Sequence, residues 1–167
     1  MSKNVIETQR LILRDWKLSD LNDFSEMWTN PNVTVPQGDL PKQSTVECMP
    51  LLEHLISAKN NYAVVLKNTG KVIGSVGLNE DAGNNSDVRN LGYILNEDYW
   101  NNGYMIEALK GIVANGCNTL SAVFSKEIDN KKSLHIIEKL GFKFVKTIDG
   151  INKINGRQTF YDYYICD

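Results

Sequence analysis

A mixed α/β fold, with helices packed on a central sheet, is the architecture that the sequence predicts. The chain has 167 residues, the length of one domain, so residues 1–167 are interpreted as a single domain. Segments with the two-residue alternation of strands are interspersed with segments whose apolar residues recur at helical spacing. Two strand-to-helix crossovers in the second half are typical of strands that join one sheet.

The first half is predicted to contain a strand, two helices and then two strands. In the first strand Leu11 and Leu13 share one face, as alternation requires. Three prolines and a glycine within residues 30–42 exclude a regular helix or a central strand there. The predicted elements are strand 6–13, a helix capped by Ser19, the irregular segment 30–42, a helix capped by Ser44, and strands 62–66 and 71–78 joined by a turn at 68–70.

The second half alternates strands with two helices. The helix after Gly103 carries apolar residues at i, i+3, i+4 spacing, which predicts one buried face formed by Ile106, Leu109, Ile112, Val113 and Cys117. The predicted elements are strand 88–95, the helix after Gly103, strand 121–125, a short helix 131–140, strand 142–148 and strand 159–165.

Composition narrows the class of protein. The net charge of −2 does not indicate a nucleic-acid surface. No apolar run is long enough for a transmembrane helix, and the first residues lack the apolar core of a secretory signal, so no membrane association is expected. Three widely spaced cysteines, Cys48, Cys117 and Cys166, argue against a disulfide framework. These features predict a cytoplasmic protein.

One candidate site is a strand, a glycine-bearing loop and a helix that follow one another between Ile94 and Ala108. A helix that starts after such a loop presents unpaired backbone N–H groups and the positive end of its dipole. An anion such as a pyrophosphate can bind there. The structural alternative is that Gly103 only opens the helix.

A second candidate site is the start of the short helix, where Asn130 and Ser133 are three residues apart and Gly141 closes the helix. Taken alone, Asn130 or Asp129 is explained as an N-cap and Ser133 as a first-turn residue. The order and distance of this helix relative to the Gly103 loop favour a functional interpretation of both.

The two segments resemble the cofactor-binding half of the GNAT superfamily of N-acetyltransferases, and residues 7–14 resemble the Thr-x-Arg-Leu-x-Leu-Arg opening of its RimJ/RimL-type branch. The resemblance implies a mostly antiparallel sheet of six to seven strands flanked by about four helices. It also implies acetyl-CoA as acyl donor and a primary amine as acceptor.

The resemblance also assigns residues to the cofactor. The family's pyrophosphate loop reads Gln/Arg-x-x-Gly-x-Gly/Ala, and here Trp100 stands at the first position and Met105 at the last. Met105 replaces a small residue and is expected to crowd the pyrophosphate. The implied cofactor-binding residues are Ile94, Leu95, Trp100, Asn101, Asn102, Gly103, Tyr104, Met105, Asn130 and Ser133.

Three residues are predicted to act in catalysis. The acceptor amine, with a pKa of about 10, must lose a proton, and Glu97 is the first candidate base. Asp98 and Glu80 are the alternatives. The Leu95 N–H is predicted to stabilise the developing oxyanion and Ser133 to hydrogen-bond the departing thiolate.

Several questions stay open at this point. His54 and His135 lie far apart, so no metal site is predicted. The acceptor is a protein N-terminal amine, a polyamine, an amino sugar or an amino acid, and a homodimer is one alternative for the assembly. The rival hypothesis is a non-catalytic acyl-CoA-binding module of the same fold.

Overall fold

The computed structural model describes residues 5–117 and 119–167. Over these residues it contains eight strands and five α-helices. In chain order they are β1 (Ile6–Glu7), β2 (Leu11–Arg14), α1 (Leu21–Trp28), α2 (Pro31–Thr34), α3 (Thr45–Ala58), β3 (Asn61–Leu66), β4 (Val72–Glu80), β5 (Arg89–Leu95), α4 (Tyr104–Ala114), β6 (Leu120–Ser125), α5 (Lys131–Lys139), β7 (Lys143–Ile151) and β8 (Gln158–Cys166).

The strands form one sheet in the order β1-β2-β3-β4-β5-β6-β8-β7. Every neighbouring pair is antiparallel except β5 and β6, which are parallel. The predicted fold class is therefore confirmed, although the sheet is larger than the six to seven strands expected. One extra strand arises because the predicted strand 6–13 is a hairpin, in which the Thr8 N–H donates to the Leu11 carbonyl.

The extra helix is α2, and it corrects the prediction that residues 30–42 contain no regular helix. Pro31 occupies the first turn of α2, where a missing N–H costs nothing. The Asn30 side chain caps the helix by accepting from the Asn32 N–H at 2.9 Å. Both residues favour a helix start, and the helix lasts only one turn before a 3-10 turn at Val35–Gln37 ends at Gly38.

Hydrophobic clusters cover both faces of the sheet. On one face α4 and α5 pack on residues that include Leu11 and Leu13, and on the other α1 and α3 pack around Phe24 and Leu52. Each fully buried side chain of this size contributes roughly 1.5–3 kcal/mol.

The buried face of α4 contains Leu109 and Ile112, as predicted, but it is completed by Met105 and Ala108, whereas Val113 is 41 % exposed. Both sets satisfy i, i+3, i+4 spacing, so periodicity alone could not choose between two stripes one residue apart.

A buried polar network lies where β5 and β6 separate. The two strands pair at Arg89/Leu120 and Asn90/Ser121 and then diverge. Asp81 accepts hydrogen bonds from the hydroxyls of Ser121 and Tyr163, and Asn90 donates to Ser121. Burial raises the pKa of Asp81, but the hydrogen bonds from Ser121, the Asn85 N–H and Tyr163 outweigh it and leave the pKa below its usual value. Asp81 is therefore ionised at neutral pH, and it accepts hydrogen bonds from β6 and β8 at the point where β5 and β6 separate.

Candidate active site

The divergence of β5 from β6 opens a cleft of about 440 Å³. Its walls come from the end of β5, the loop before α4, the first turns of α5 and residues 32–37. Most of the predicted site residues meet in this cleft. They are Ile94, Leu95, Trp100, Asn101, Gly103, Tyr104, Met105, Asn130 and Ser133.

Gly103 starts α4 with φ +76°, in the left-handed region that favours glycine. No side chain caps the helix at Gly103, so the first N–H groups of α4 are left for another acceptor. Asn102, which does not line the cleft, donates its amide to the carbonyls of Tyr99 and Trp100 at 3.3 and 2.8 Å. Its side chain therefore holds the shape of the loop, while the backbone of the loop presents the N–H groups.

Met105 lines the cleft through a side chain that is otherwise buried. The residue is 2 % exposed, and its methyl carbon would lie 3.5 Å from a Cβ placed on Gly74 of β4. The side chain therefore packs against the sheet. Crowding of a pyrophosphate by Met105 stays a prediction.

The edge of β5 that faces the cleft carries unpaired backbone groups. The Asn96 N–H donates to the Ile73 carbonyl of β4, so by alternation the Leu95 N–H and the Tyr93 N–H lie on the opposite edge. Pairing with β6 has already ended at Asn90. The Leu95 carbonyl accepts from the Trp100 indole N–H at 2.8 Å, which fixes Trp100 beside the strand end.

Two contacts fix the start of α5. The Asn130 amide donates to the Pro36 carbonyl at 2.9 Å, and the Tyr93 hydroxyl donates to the Ser133 carbonyl at 2.8 Å. Burial raises the pKa of Tyr93 well above its usual value, which the hydrogen bond to Ser133 offsets only in part. The phenol therefore stays protonated at neutral pH. Tyr93 was missed in the sequence because a strand tyrosine is ordinarily explained by packing.

Glu97 lies at the rim, outside the lining of the cleft. Its carboxylate accepts from the amides of Asn30 at 2.7 Å and Asn32 at 3.1 Å. The hydrogen bonds from Asn30 and Asn32, with a contribution from Lys132, hold the pKa of Glu97 below its usual value. A carboxylate with a lowered pKa is a weaker proton acceptor. Glu97 stays a predicted base, and its contacts also give it a second role, holding α2 against the end of β5.

The alternatives to Glu97 differ in position. Asp98 is exposed in the same loop. Glu80 pairs with Arg89, whereas Leu95 pairs with Gly74, so Glu80 and Leu95 are separated along the sheet by about 20 Å. Glu80 therefore cannot act on a group beside Leu95, contrary to the expectation from sequence.

Basic and imidazole groups also line the cleft without having been predicted as site residues. The Lys132 ammonium lies 4.1 Å from the centre of the Trp100 ring, a cation–π contact. His135 is exposed and lies in the cleft wall with Lys139. Single charged residues on an exposed helix give no sequence signal that separates them from solvated ones.

A second cavity of about 400 Å³ lies near the point where β5 and β6 separate. Three of its lining residues, Pro36, Gln37 and Asn130, also line the cleft. Among its lining residues Asp149 and Lys153 carry the only charges, one of each sign. Its other walls are neutral. They include Asn79, Asn90, Gly92, Val123, Phe124, Ser125, Ile148 and Tyr161. Residues 36–37 and Asn130 thus lie between the two spaces.

No group of three or more His, Cys, Asp or Glu side chains in residues 5–117 and 119–167 is placed to hold a metal ion. Within the same residues, no helix has the length and apolar character needed to cross a membrane.

Solved structures share this architecture over nearly the whole chain. An acetyltransferase (GNAT family) from Bacillus anthracis superposes with a TM-score of 0.80 at 19 % identity, covering 97 % of both chains. A ribosomal-protein-S5-alanine acetyltransferase from Vibrio fischeri gives 0.72 at 20 % identity, covering 98 % of this chain and 96 % of the other. These similarities concern the fold.

Sequence comparison gives the family. The profile described as "Acetyltransferase (GNAT) domain" matches residues 10–143. The protein YkkB of Bacillus subtilis (strain 168) is 33 % identical over 162 residues, covering 91 % of this chain and 92 % of its own length. The N-acetyltransferase p20 of Bacillus licheniformis is 25 % identical over 158 residues, covering 90 % and 88 %. The chain belongs to the GNAT acetyltransferase family.

Proposed function

We propose that this protein transfers an acetyl group from acetyl-CoA to a primary amine by direct attack. The observation that carries the proposal is the cleft at the divergence of β5 and β6, which joins an uncapped helix start to an open strand edge. Bound acetyl-CoA would supply the activated acetyl group. The residues present fit it, because the helix start offers N–H groups to a pyrophosphate and the strand edge offers hydrogen bonds to an amide-bearing arm.

Cofactor binding is proposed to use the backbone more than side chains. The N–H groups that follow Gly103 face the pyrophosphate, and the open edge of β5, which carries the backbone groups of Tyr93 and Leu95, pairs with the pantetheine amides while Ile94 lines the cleft between them. Trp100, Asn101 and Tyr104 form the loop wall, and Asn130 closes the far side. In this proposal Asn102 contributes through the loop shape that its amide maintains.

Transfer then needs three functions. The Leu95 N–H donates to the negative charge that develops on the acyl oxygen, because it lies on the unpaired edge of β5. The Ser133 hydroxyl donates a hydrogen bond to the departing thiolate. Proton removal from the amine falls to Glu97 or Asp98, directly or through water.

The acceptor is proposed to be the terminal amine of a peptide or protein. The second cavity carries one acidic and one basic residue, Asp149 and Lys153, among otherwise neutral groups. A polyamine needs several carboxylates, whereas a peptide needs amides and apolar contacts. One structural neighbour, from Vibrio fischeri, is named for acetylation of a ribosomal-protein alanine, which supports the proposed likeness to the RimJ/RimL branch.

Thiol release tests the proposal against its rival, a non-catalytic acyl-CoA-binding module. The protein is incubated with acetyl-CoA and, separately, an alanine-starting peptide, spermidine, glucosamine and free alanine. We expect free CoA to appear with the peptide in equal amount to acetylated peptide by mass spectrometry. Tight CoA binding without release of thiol for any amine would support the rival and contradict catalysis.

A further inference from the structure

The loop that is proposed to hold the pyrophosphate carries no cationic side chain. It reads Trp-Asn-Asn-Gly-Tyr-Met from Trp100 to Met105, without the Arg or Gln that the family's pattern places first. The helix dipole is equivalent to only about half a unit charge and cannot balance a pyrophosphate. Two cations from other parts of the chain lie beside the loop, Lys132 at the Trp100 ring and Arg10 at Gly103. Arg10 is the one at the helix start.

Arg10, just before β2, lies against this loop. Its Nη1 donates to the Asn102 carbonyl at 3.1 Å, and its Nη2 is 3.7 Å from where a Cβ on Gly103 would stand. Its guanidinium carbon lies 4.3 Å from the centre of the Tyr104 ring. Its side chain is 41 % exposed. Arg10 thus touches the residues on both sides of the helix start while remaining open to solvent.

Glu107 in the first turn of α4 fixes the direction of Arg10. The carboxylate accepts from Arg10 Nε at 2.6 Å, from the Arg10 backbone N–H at 2.7 Å and from the Thr8 hydroxyl at 2.6 Å. Burial raises the pKa of Glu107, but the hydrogen bonds from Thr8 and Arg10 outweigh it and lower the pKa overall. Glu107 is therefore an anion at neutral pH, and it leaves Nη2 as the end of the fork that points to Gly103.

The charges of Arg10 and Glu107 both affect the binding of phosphate at the start of α4. An isolated Glu107 carboxylate one turn into α4 would repel an anion at the helix start. Arg10 cancels that charge, and its remaining donor lies beside the uncapped N–H groups. We infer that Arg10 is a cofactor-binding residue whose Nη2 donates to a pyrophosphate oxygen of CoA. The inference rests on the proposed function.

Calorimetric titration of CoA tests it. Arg10→Gln should raise the Kd for CoA about tenfold, equivalent to about 1.4 kcal/mol, and should raise the Kd for 3′-dephospho-CoA by the same factor. If Arg10→Gln raised the Kd for CoA but left the Kd for 3′-dephospho-CoA unchanged, Arg10 would bind the 3′-phosphate and the inference would be overturned. Arg14→Gln is the matched control, because Arg14, at the end of β2, also pairs with a carboxylate, that of Asp20 in the 3-10 turn Leu18–Asp20, and does not line the cleft. It should leave both Kd values within about twofold.

The variant Glu107→Gln distinguishes two roles of Arg10. In one, the Arg10 cation binds phosphate; in the other, its pairing with Glu107 only holds the shape of the loop. Removing the Glu107 charge should leave the Kd for CoA unchanged or lower it, because Arg10 then keeps its full charge. A Kd raised about tenfold in Glu107→Gln would show that the pair acts only as an anchor and would overturn the inference. This variant decides the question even if Arg10→Gln does not fold.

Two different CoA-binding results would contradict the proposed function and the role of Arg10. A folded wild-type protein that binds no CoA would contradict the proposed function itself. A wild-type protein that binds CoA with the same Kd as Arg10→Gln would contradict only the role of Arg10.

Discussion

The two walls of the cleft are built in different ways. The wall formed by β5, α4 and α5 relies on backbone geometry, with an uncapped helix start at Gly103 and an unpaired strand edge at Leu95. The opposite wall, residues 30–38, is held by side-chain amides. Asn30 and Asn32 donate to Glu97, and Asn130 donates to Pro36. Backbone sites tolerate many side chains, whereas the shape of a wall held by a few amides changes with each substitution.

The largest effect is expected for Ser133→Ala, in the wall formed by β5, α4 and α5, where the thioester bond is proposed to break. Ser133→Ala should lower the turnover number by roughly 10–1000-fold, because a hydrogen bond to the departing thiolate acts only in the transition state. The Kd for acetyl-CoA should change little. Steady-state kinetics with calorimetry measures both. Ser57→Ala, an exposed serine at the end of α3, is the control, and an unchanged turnover in Ser133→Ala would return Ser133 to a structural role.

The helix start is tested by Gly103→Glu. A negative side chain at the site of the pyrophosphate should raise the Kd for CoA at least tenfold, or about 1.4 kcal/mol. Part of the effect could come from strain, since φ at Gly103 is +76°. Gly70→Glu matches that strain, with φ +72° in a turn with open space around it, and should lose stability without losing CoA affinity. Equal CoA affinity in folded Gly103→Glu and wild type would contradict the placement.

The point of divergence is tested by Asp81→Asn. Loss of charge-assisted hydrogen bonds from Ser121 and Tyr163 should lower the free energy of unfolding by about 1.5–3 kcal/mol at pH 7. The folded pKa of Asp81 is lowered, so its contribution is present above the unfolded value of about 3.9 and is lost as pH falls through the folded value.

Urea unfolding at pH 7 and pH 3 measures that pH dependence. Between pH 7 and pH 3, the free energy of unfolding should fall less for Asp81→Asn than for the wild type. Equal losses in the two proteins would show that Asp81 is not ionised in the network.

The amide-tied wall is tested by Glu97→Gln, with the smallest expected effect. The lowered pKa keeps Glu97 ionised through the neutral range. We therefore expect the variant to keep the rise of turnover with pH and to raise the KM for the acceptor about threefold, through looser contacts to Asn30 and Asn32. A flattened pH profile would instead identify Glu97 as the base. Asp98→Asn removes the other candidate base and should flatten the profile, and Glu53→Gln, at an exposed carboxylate of α3, is the control for a change of charge alone.

The difference between the walls also explains what could be predicted from the sequence. The fold class and the cleft-lining positions from Ile94 to Ser133 followed from periodicity, from Gly103 and from the family's motifs. The contacts of Asn30 and Asn32 with Glu97 join residues more than sixty positions apart, and no local pattern reports them. The buried stripe of α4 was predicted correctly at Leu109 and Ile112 but wrongly at Val113, because two stripes fit the same spacing. The position of Glu80 depended on sheet register.

The central claim is that the cofactor binds where β5 leaves β6 and α4 begins. Hydrogen–deuterium exchange with and without CoA tests it most directly, because the proposed ligands are backbone N–H groups. We predict slower exchange in peptides covering residues 93–106 and 130–134, and no change in peptides covering β7 and β8. Protection confined to β7 and β8, with none at residues 93–106, would contradict the account.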